Sequence, residues 1–200
     1  MSRIVGVTDG EAGLYARIAF YFARRQIARL AGSKPDNMIE PIKVYARIPG
    51  VLRGVAKLEQ ESAKLRSVDK RFKALAELKA ATLTHCEYCI DLGSQIARRW
   101  GVSDEELLAL PSYRSSALFT PLEKLVLDYA VGMSRTPVEV SDDLFNKLRE
   151  NFDELQMIEL THLIALENLR GRFNFAMGIG AAGFVGPMVC AVPAMVSPED

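Results

Sequence analysis

The sequence predicts an all-α protein, because helix start and stop signals recur along the chain while strand signals do not. Residues 103–106 (SDEE) and 120–123 (TPLE) each fit a capping box, in which the first hydroxyl accepts a backbone N–H and the Glu reaches back to the cap. Ser141 precedes a further helical segment that runs to about residue 151. The stretch 153–177 has apolar residues at helical spacing and ends at Gly178.

Composition and charge are those of an ordinary globular domain. The chain has 200 residues, of which 49% are apolar and 25% are charged, so it is long enough to bury a sizeable core as one domain. Its 25 Lys and Arg residues balance 25 Asp and Glu residues. Because no net positive field draws the chain toward polyanions, we expect no nucleic-acid partner.

Cysteine usage and the first residues bear on the cellular compartment. Three cysteines are too few for the disulfide framework of a small secreted domain. The opening sequence MSRIVGVTDGEAG has no apolar signal core before the first helical pattern. We therefore expect a cytoplasmic protein, in which a CxxC pair is more often catalytic or metal-binding than structural.

The segment 13–32 is apolar enough to be considered as a membrane span, but four arginines interrupt it. One face of the predicted helix is apolar and consists of Ala16, Phe20, Ala23, Ile27 and Leu30. Leu14, Ile18 and Phe22 lie among the arginines on the other face. This pattern favours a helix packed between its own core and a second subunit, and a helix lying on a membrane surface is the alternative.

The pattern THCEYC at residues 84–89 places two cysteines three residues apart. Thr84 and Glu87 match a third capping box, which predicts a helix that runs to about Trp100 and has Cys86 at its second position. Unpaired N–H groups and the helix dipole at such a position lower a thiol pKa from about 8.5 toward roughly 3.5–7.5. Helix position alone therefore favours Cys86 as the more acidic thiol of the pair.

Three interpretations of the pair remain open from the residues themselves: two small buried hydrophobic residues, part of a zinc site, or a redox dithiol. Outside the carboxylates, the available zinc ligands are Cys86, Cys89, Cys190, His85 and His162. A second CxxC or an HxxxH is absent from the sequence, so a zinc site is disfavoured and we expect no metal and no cofactor.

Three longer segments carry a family resemblance: residues 75–101, which contain CEYC, residues 119–145, and residues 158–180, which contain LENLRGRFN. Together they resemble the carboxymuconolactone decarboxylase family, in its alkyl hydroperoxidase D-like branch. The likeness covers residues 40–185. It implies one all-α domain over 1–200, an alkyl hydroperoxidase D-like helical bundle with a helical extension at 1–35 and an irregular tail at 186–200.

The resemblance also implies an activity, which is the reduction of organic hydroperoxides by the CxxC pair. In that scheme Cys89 attacks the hydroperoxide and becomes a sulfenic acid, and Cys86 condenses with it to a disulfide. An external dithiol, which the sequence does not identify, then reduces the enzyme. The family branch assembles into trimers or larger rings. Decarboxylating relatives generally lack CxxC, so their activity is not carried over to this chain.

Two groups of the family's proton relay are missing from this sequence. The pattern has a Glu twelve residues before the first Cys and a His four residues after the second, and these positions hold Ala74 and Gly93. Glu77 lies three residues beyond Ala74 on a neighbouring part of the same helix face, so we predict that it takes the place of the missing Glu. Its alternative role is an ion pair with Lys73, one turn before it.

His85 and His162 are the remaining candidates for proton transfer. A pairing of His162 with Glu159, one turn before it, would account for that His without catalysis. Because the relay is incomplete, two other functions stay open: a disulfide oxidoreductase or redox sensor with little peroxidase activity, and a non-redox member of the family.

Overall fold

The computed structural model describes residues 2–184, which contain no β-strand and confirm the all-α prediction. The helices are α1 (Leu14–Ala31), α2 (Glu40–Tyr45), α3 (Pro49–Ser62), α4 (Lys70–Leu83), α5 (Glu87–Arg99), α6 (Asp104–Ala109), α7 (Pro121–Ser134), α8 (Asp142–Arg149) and α9 (Glu154–Met177), with a 3₁₀ turn at Leu110–Ser112. The tail predicted at 186–200 and Cys190 within it lie outside the described residues.

Local capping chemistry sets most of the helix starts. The boxes predicted at 103–106 and 120–123 are both present at the starts of α6 and α7. Ser141 caps α8 as predicted, and its side chain accepts from the N–H of Leu144. The α9 helix begins with a further capping box at Asp153 and ends at Gly178, whose φ of 64° is the left-handed conformation that suits glycine.

The central element is α4, which packs against α5, α7 and α9. Its residues 74–76 and 78–82 are all buried, and four of them are alanines that allow neighbouring helices to approach closely. One apolar cluster joins α4 to α1 and α5 through residues such as Phe20, Leu75 and Ile90. A second cluster joins α4 to α7, α8 and α9 through residues such as Leu148 and Ile164. The helix therefore lies between two parts of the core.

Arg71 at the start of α4 joins the two confirmed capping boxes. Its Nε donates to Glu123 at 2.6 Å, its guanidinium also pairs with Glu106, and its Nη1 donates to the carbonyl of Gly101 at 2.6 Å. Gly101, with φ of 90°, follows the end of α5. The same guanidinium thus holds the end of α5 and the starts of α6 and α7 against α4.

The two faces of α1 differ as the sequence predicts. Phe20 is fully buried, whereas Leu14, Ile18 and Phe22 are exposed. The subunit that was predicted to cover the exposed face remains a prediction. None of the helices among residues 2–184 has both the length and the apolarity needed to cross a membrane.

Candidate redox site

The site lies at the junction between α4 and α5. The capping box predicted for Thr84 and Glu87 is not formed there. Thr84 does not cap α5. Its hydroxyl donates to the carbonyls of Ala80 and Ala81, so it satisfies the end of α4 instead. His85 then adopts φ of 51°, which turns the chain, and α5 begins three residues after Thr84. Cys86, not Thr84, is therefore the residue at the N-cap of α5.

Cys86 is the N-cap residue of α5. Its Sγ accepts a hydrogen bond from the backbone N–H of Cys89 at 3.2 Å. The two cysteines form a disulfide, with Cα atoms 5.2 Å apart. This separation is within the roughly 7 Å that a disulfide allows. A sulfur in the cap position faces the positive end of the helix, where a thiolate is stabilised.

Asn174, on α9, contacts both sulfurs. Its Nδ2 lies 3.5 Å from Sγ of Cys86 and 3.4 Å from Sγ of Cys89, and the residue is 3% exposed. The sequence analysis assigns no role to Asn174. The available signal was an amide on the inward face of a helix whose other inward residues are mostly apolar.

Both cysteines are buried, and the chain that follows α9 packs on α5 next to them. Cys86 is 1% exposed and Cys89 is 7% exposed. Residues 182–184 donate three backbone N–H groups to Oδ2 of Asp91, at 2.8, 2.7 and 3.0 Å. The ring of Phe184 packs edge-on against Tyr88, with centroids 6.4 Å apart. This segment therefore lies along the first turns of α5, beside the cysteine pair.

A close approach between Gly171 and Thr84 brings α9 against the α4–α5 junction. A Cβ on Gly171 would lie 2.1 Å from Oγ1 of Thr84, so only glycine lets α9 lie directly on the α4–α5 junction. Asn174 follows one turn later, at the disulfide.

The family's relay His position is Gly93, where a Cβ would already lie 3.3 Å from Cδ1 of Leu78. The relay Glu position, Ala74, is buried in the core. Both relay positions are thus packing positions in this chain.

Glu77 belongs to a charged cluster, which we call the Arg170 cluster and which consists of Glu59, Glu77, Glu167 and Arg170. Arg170 donates to both oxygens of Glu59 at 2.8 and 2.6 Å, to Glu77 at 3.1 Å and to Glu167 at 3.0 Å. Burial raises the pKa of Glu77, and the nearby Arg170 only partly offsets that effect. Burial likewise raises the pKa of Glu167, to about 7.

His162 lies far from the cysteines along α9. It precedes Asn174 by twelve residues, which is about 18 Å of helix. Its Nε2 is 2.7 Å from Oγ of Ser62. The predicted pairing with Glu159 is wrong, because that carboxylate faces α4 and bonds Lys73 at 2.9 Å.

The ion pair predicted between Lys73 and Glu77 is not formed. Lys73 pairs with Glu159, and Glu77 pairs with Arg170. His85 is adjacent to Cys86 in the chain, and its ring makes no hydrogen bond within residues 2–184. In that part of the chain, no group of three or more His, Cys, Asp or Glu side chains is arranged to hold a metal ion.

Sequence comparison identifies the class of protein that this fold and site define. The sequence model of the carboxymuconolactone decarboxylase family matches residues 49–131. The uncharacterized protein YnjA of Escherichia coli is 38% identical over 159 residues, which cover 78% of this chain and 84% of YnjA. The chain therefore belongs to the carboxymuconolactone decarboxylase family.

Solved structures with low sequence identity share the fold. The apo debrominase Bmp8 superposes with a TM-score of 0.75 at 19% identity, over 90% of this chain and 92% of Bmp8. An alkylhydroperoxidase AhpD core protein of Ralstonia eutropha, described as peroxidase-related, superposes with a TM-score of 0.70 at 18% identity, over 90% of this chain and 92% of that protein. The alkyl hydroperoxidase D-like bundle expected from the sequence is thereby confirmed.

Proposed function

We propose that the chain is a thiol-dependent peroxidase that reduces organic hydroperoxides through Cys86 and Cys89. The observation that carries this proposal is the arrangement of both sulfurs at the start of α5, bonded to each other and contacted by the amide of Asn174. Helix N–H groups and an amide donor stabilise a thiolate, which is the nucleophile of such chemistry. Membership of the carboxymuconolactone decarboxylase family, and the fold shared with an alkylhydroperoxidase AhpD core protein, support the substrate class.

In the oxidative half of the cycle, the Cys89 thiolate attacks the terminal oxygen of the hydroperoxide. The O–O bond breaks, the alkoxide leaves and takes a proton to become an alcohol, and Cys89 becomes a sulfenic acid. The Cys86 thiol then attacks that sulfur, and hydroxide leaves as water with a proton. Cys89 is the more exposed of the two residues, at 7% against 1%, which supports its role as the attacking cysteine.

In the reductive half, a thiolate of an external dithiol attacks Sγ of Cys89, and Cys86 leaves. Exchange is faster when the attacked sulfur is accessible and the leaving thiol is acidic. Cys86 is the better leaving group, because its sulfur contacts two donors, the N–H of Cys89 and the amide of Asn174. Helix position favours Cys86 as the more acidic thiol, and this property matters in the reductive half, where Cys86 leaves. The family resemblance favours Cys89 as the nucleophile of the oxidative half.

The test is a single-turnover assay with reduced protein and cumene hydroperoxide. We expect two thiols to be lost for each hydroperoxide consumed. Cys89→Ser should abolish consumption, whereas Cys86→Ser should stop at a sulfenic acid that dimedone traps. Cys190→Ser is the matched control and should behave as the wild type. Wild-type protein that leaves the hydroperoxide unreacted contradicts the proposal.

A second candidate function is favoured by the packed relay positions Ala74 and Gly93, which hold no proton-transfer group. The chain would then be a disulfide oxidoreductase or redox sensor, and would exchange rapidly with dithiols while hydroperoxide consumption stays slow. Because one structural neighbour is a debrominase, a bromopyrrole is a further oxidant to offer in the same assay.

Oligomerisation is part of the proposed function. The exposed face of α1, with Leu14, Ile18 and Phe22, is suited to a second copy of the chain. We expect a homo-oligomer, a trimer or a multiple of one, in the cytoplasm. Light scattering that shows a stable monomer at micromolar concentration would contradict the assembly without affecting the dithiol chemistry.

A further inference from the structure

The Arg170 cluster contains more negative than positive charge. Glu59 from α3, Glu77 from α4 and Glu167 from α9 all contact the single guanidinium of Arg170. Three ionised carboxylates would leave the cluster with two uncompensated negative charges in a largely buried place. Like charges in close contact raise the proton affinity of at least one member, so the cluster is expected to keep a proton near neutral pH.

Glu167 is the member that the structure identifies as the proton carrier. Its side chain is 7% exposed, whereas the side chains of Glu59 and Glu77 retain 36% and 24% exposure. One of its oxygens accepts from Arg170, but Oε1 is buried and has no hydrogen-bond partner within residues 2–184. A buried carboxylate oxygen without a donor is costly, and protonation removes most of that cost. The burial that raises its pKa to about 7 agrees with this assignment.

The cluster lies close to the cysteine pair along α9. Glu167 precedes Asn174 by seven residues, which is two turns on the same face and about 10 Å of helix. Asn174 contacts both sulfurs. Tyr88, between the two cysteines in sequence, has its pKa raised mainly by burial, and the charges of Arg170, Asp91, Glu59 and Glu167 act on it as well. Charges of the cluster therefore act at Tyr88, which lies between the two cysteines in the chain.

Building on the proposed dithiol chemistry, we propose that Glu167 is a redox-linked proton site, which binds a proton when the Cys86–Cys89 disulfide is reduced and releases it when the disulfide re-forms. Reduction replaces a neutral disulfide with a thiol and a thiolate. If the axial spacing of Glu167 and Asn174 on α9, about 10 Å, is taken as the separation of the charges, a thiolate at an effective dielectric constant of about 20 raises the proton affinity of Glu167 about tenfold. In the disulfide form, the charged groups that act on Glu167 are Arg170, Glu77 and Glu59.

The proton and electron balance closes. The external dithiol is oxidised to a disulfide and supplies two electrons and two protons. One proton goes to a cysteine thiol, the other cysteine becomes a thiolate, and the second proton goes to the Glu167 carboxylate. In the oxidative half, the thiol and Glu167 together return two protons, which end on the alcohol and water formed from the hydroperoxide.

The test measures the equilibrium between the protein disulfide and dithiothreitol at several pH values between 7 and 8. Dithiothreitol releases two protons when it is oxidised, and a protein disulfide that is reduced to one thiol and one thiolate binds only one of them. The reaction then releases one proton, so the equilibrium constant for reduction of the protein rises about tenfold per pH unit. In the wild type, Glu167 takes up about half a proton more, and the rise should be only about threefold per unit. The variant Glu167→Gln should restore the tenfold dependence.

Glu159→Gln is the matched control, because Glu159 is also buried on α9 but is paired with Lys73, fifteen residues before Asn174. It should keep the pH dependence of the wild type. Equal slopes in the wild type and Glu167→Gln would overturn the inference. This outcome differs from failure of the proposed function, in which hydroperoxide is not consumed while the disulfide equilibrium can still be measured.

A measurement on the wild type alone covers the case in which Glu167→Gln does not fold. Infrared difference spectra of the reduced minus the oxidised protein at pH 7.5 should show a gain in the C=O stretch of a protonated carboxyl. Absence of that gain in protein whose disulfide is fully reduced would overturn the inference.

Discussion

Two buried acidic sites on α9 differ in how their charges are matched. Glu159 has one cation, Lys73, at 2.9 Å, and its oxygens also accept the N–H groups of Ser67 and Val68 at 2.8 and 3.3 Å. Glu167 shares one cation with two other carboxylates, and one of its oxygens lacks a partner within residues 2–184. The two sites lie eight residues apart on the same helix, so the difference arises from their partners.

The pKa values of the two carboxyls shift in opposite directions for this reason. Burial acts to raise the pKa of both groups. At Glu159 the hydrogen bonds from Lys73 and the backbone outweigh burial, and the pKa is lowered. At Glu167 burial dominates and the pKa is raised to about 7. A fully paired carboxylate is suited to hold helices together, whereas an underpaired one is suited to exchange a proton.

Removal of the paired carboxylate should have the largest effect on stability. Glu159→Ala leaves Lys73 buried without its partner and should lower the free energy of unfolding by about 3–5 kcal/mol. Urea denaturation followed by circular dichroism measures this loss. The double variant Glu159→Leu with Lys73→Met should recover part of it, because no buried charge then remains. A loss below about 1 kcal/mol would mean that the pair is not a structural element.

The underpaired carboxyl should be visible in the pH dependence of stability. The pKa of Glu167 is about 7 in the folded protein against an ordinary 4.5, so the folded state binds more protons than the unfolded state between these values. The free energy of unfolding should therefore fall as pH rises through this window, by about 3 kcal/mol from this group.

Glu167→Gln should lack that share of the decrease, whereas Glu159→Gln should retain it. Denaturation curves at pH 4.5, 5.5, 6.5 and 7.5 make the comparison. A difference between the wild type and Glu167→Gln that does not change with pH would show that Glu167 is ionised throughout.

Glu77 tests whether the Arg170 cluster assists catalysis. Glu77→Gln should slow the single-turnover reaction with hydroperoxide at neutral pH by about 10²-fold, the lower end of what lost acid–base help costs. The lower end is expected because Glu77 contacts Arg170 rather than a sulfur. Glu87→Gln is the control. Glu87 is exposed at the start of α5, and loss of its charge should make the thiol slightly more acidic. An unchanged rate for Glu77→Gln would show that Glu77 takes no part in proton transfer to or from the cysteines.

Asn174 should show the smallest of these effects. Asn174→Leu removes the donor that contacts both sulfurs and should raise the pKa of the reactive thiol by about one unit, or roughly 1.4 kcal/mol. Thiolate absorbance in the ultraviolet, followed through a pH titration, measures this change. Asn168→Leu is the matched control, since Asn168 is buried on the same helix but bonds Ser134 instead. A shift of equal size in both variants would point to general loosening of α9.

Much of the fold could be predicted because helix starts and stops are local. The side chains of Ser103, Thr120 and Ser141 each accept from an N–H three residues away, and the structure confirms all three caps. The start of α5 was not predictable in the same way. Thr84 has a hydroxyl that could serve either helix at the junction, and His85 adopts a left-handed conformation that is uncommon for a non-glycine residue.

The sequence by itself determined the helical class, the family resemblance and the pairing distance of Cys86 and Cys89, because these depend on residues close together in the chain. Only the tertiary structure decided that Asn174 contacts both sulfurs and that Arg170 joins carboxylates from three helices. Arg170 is three residues from Glu167 in sequence but 111 residues from Glu59. Their contacts depend on where the helices cross, which close approaches such as Gly171 against Thr84 determine.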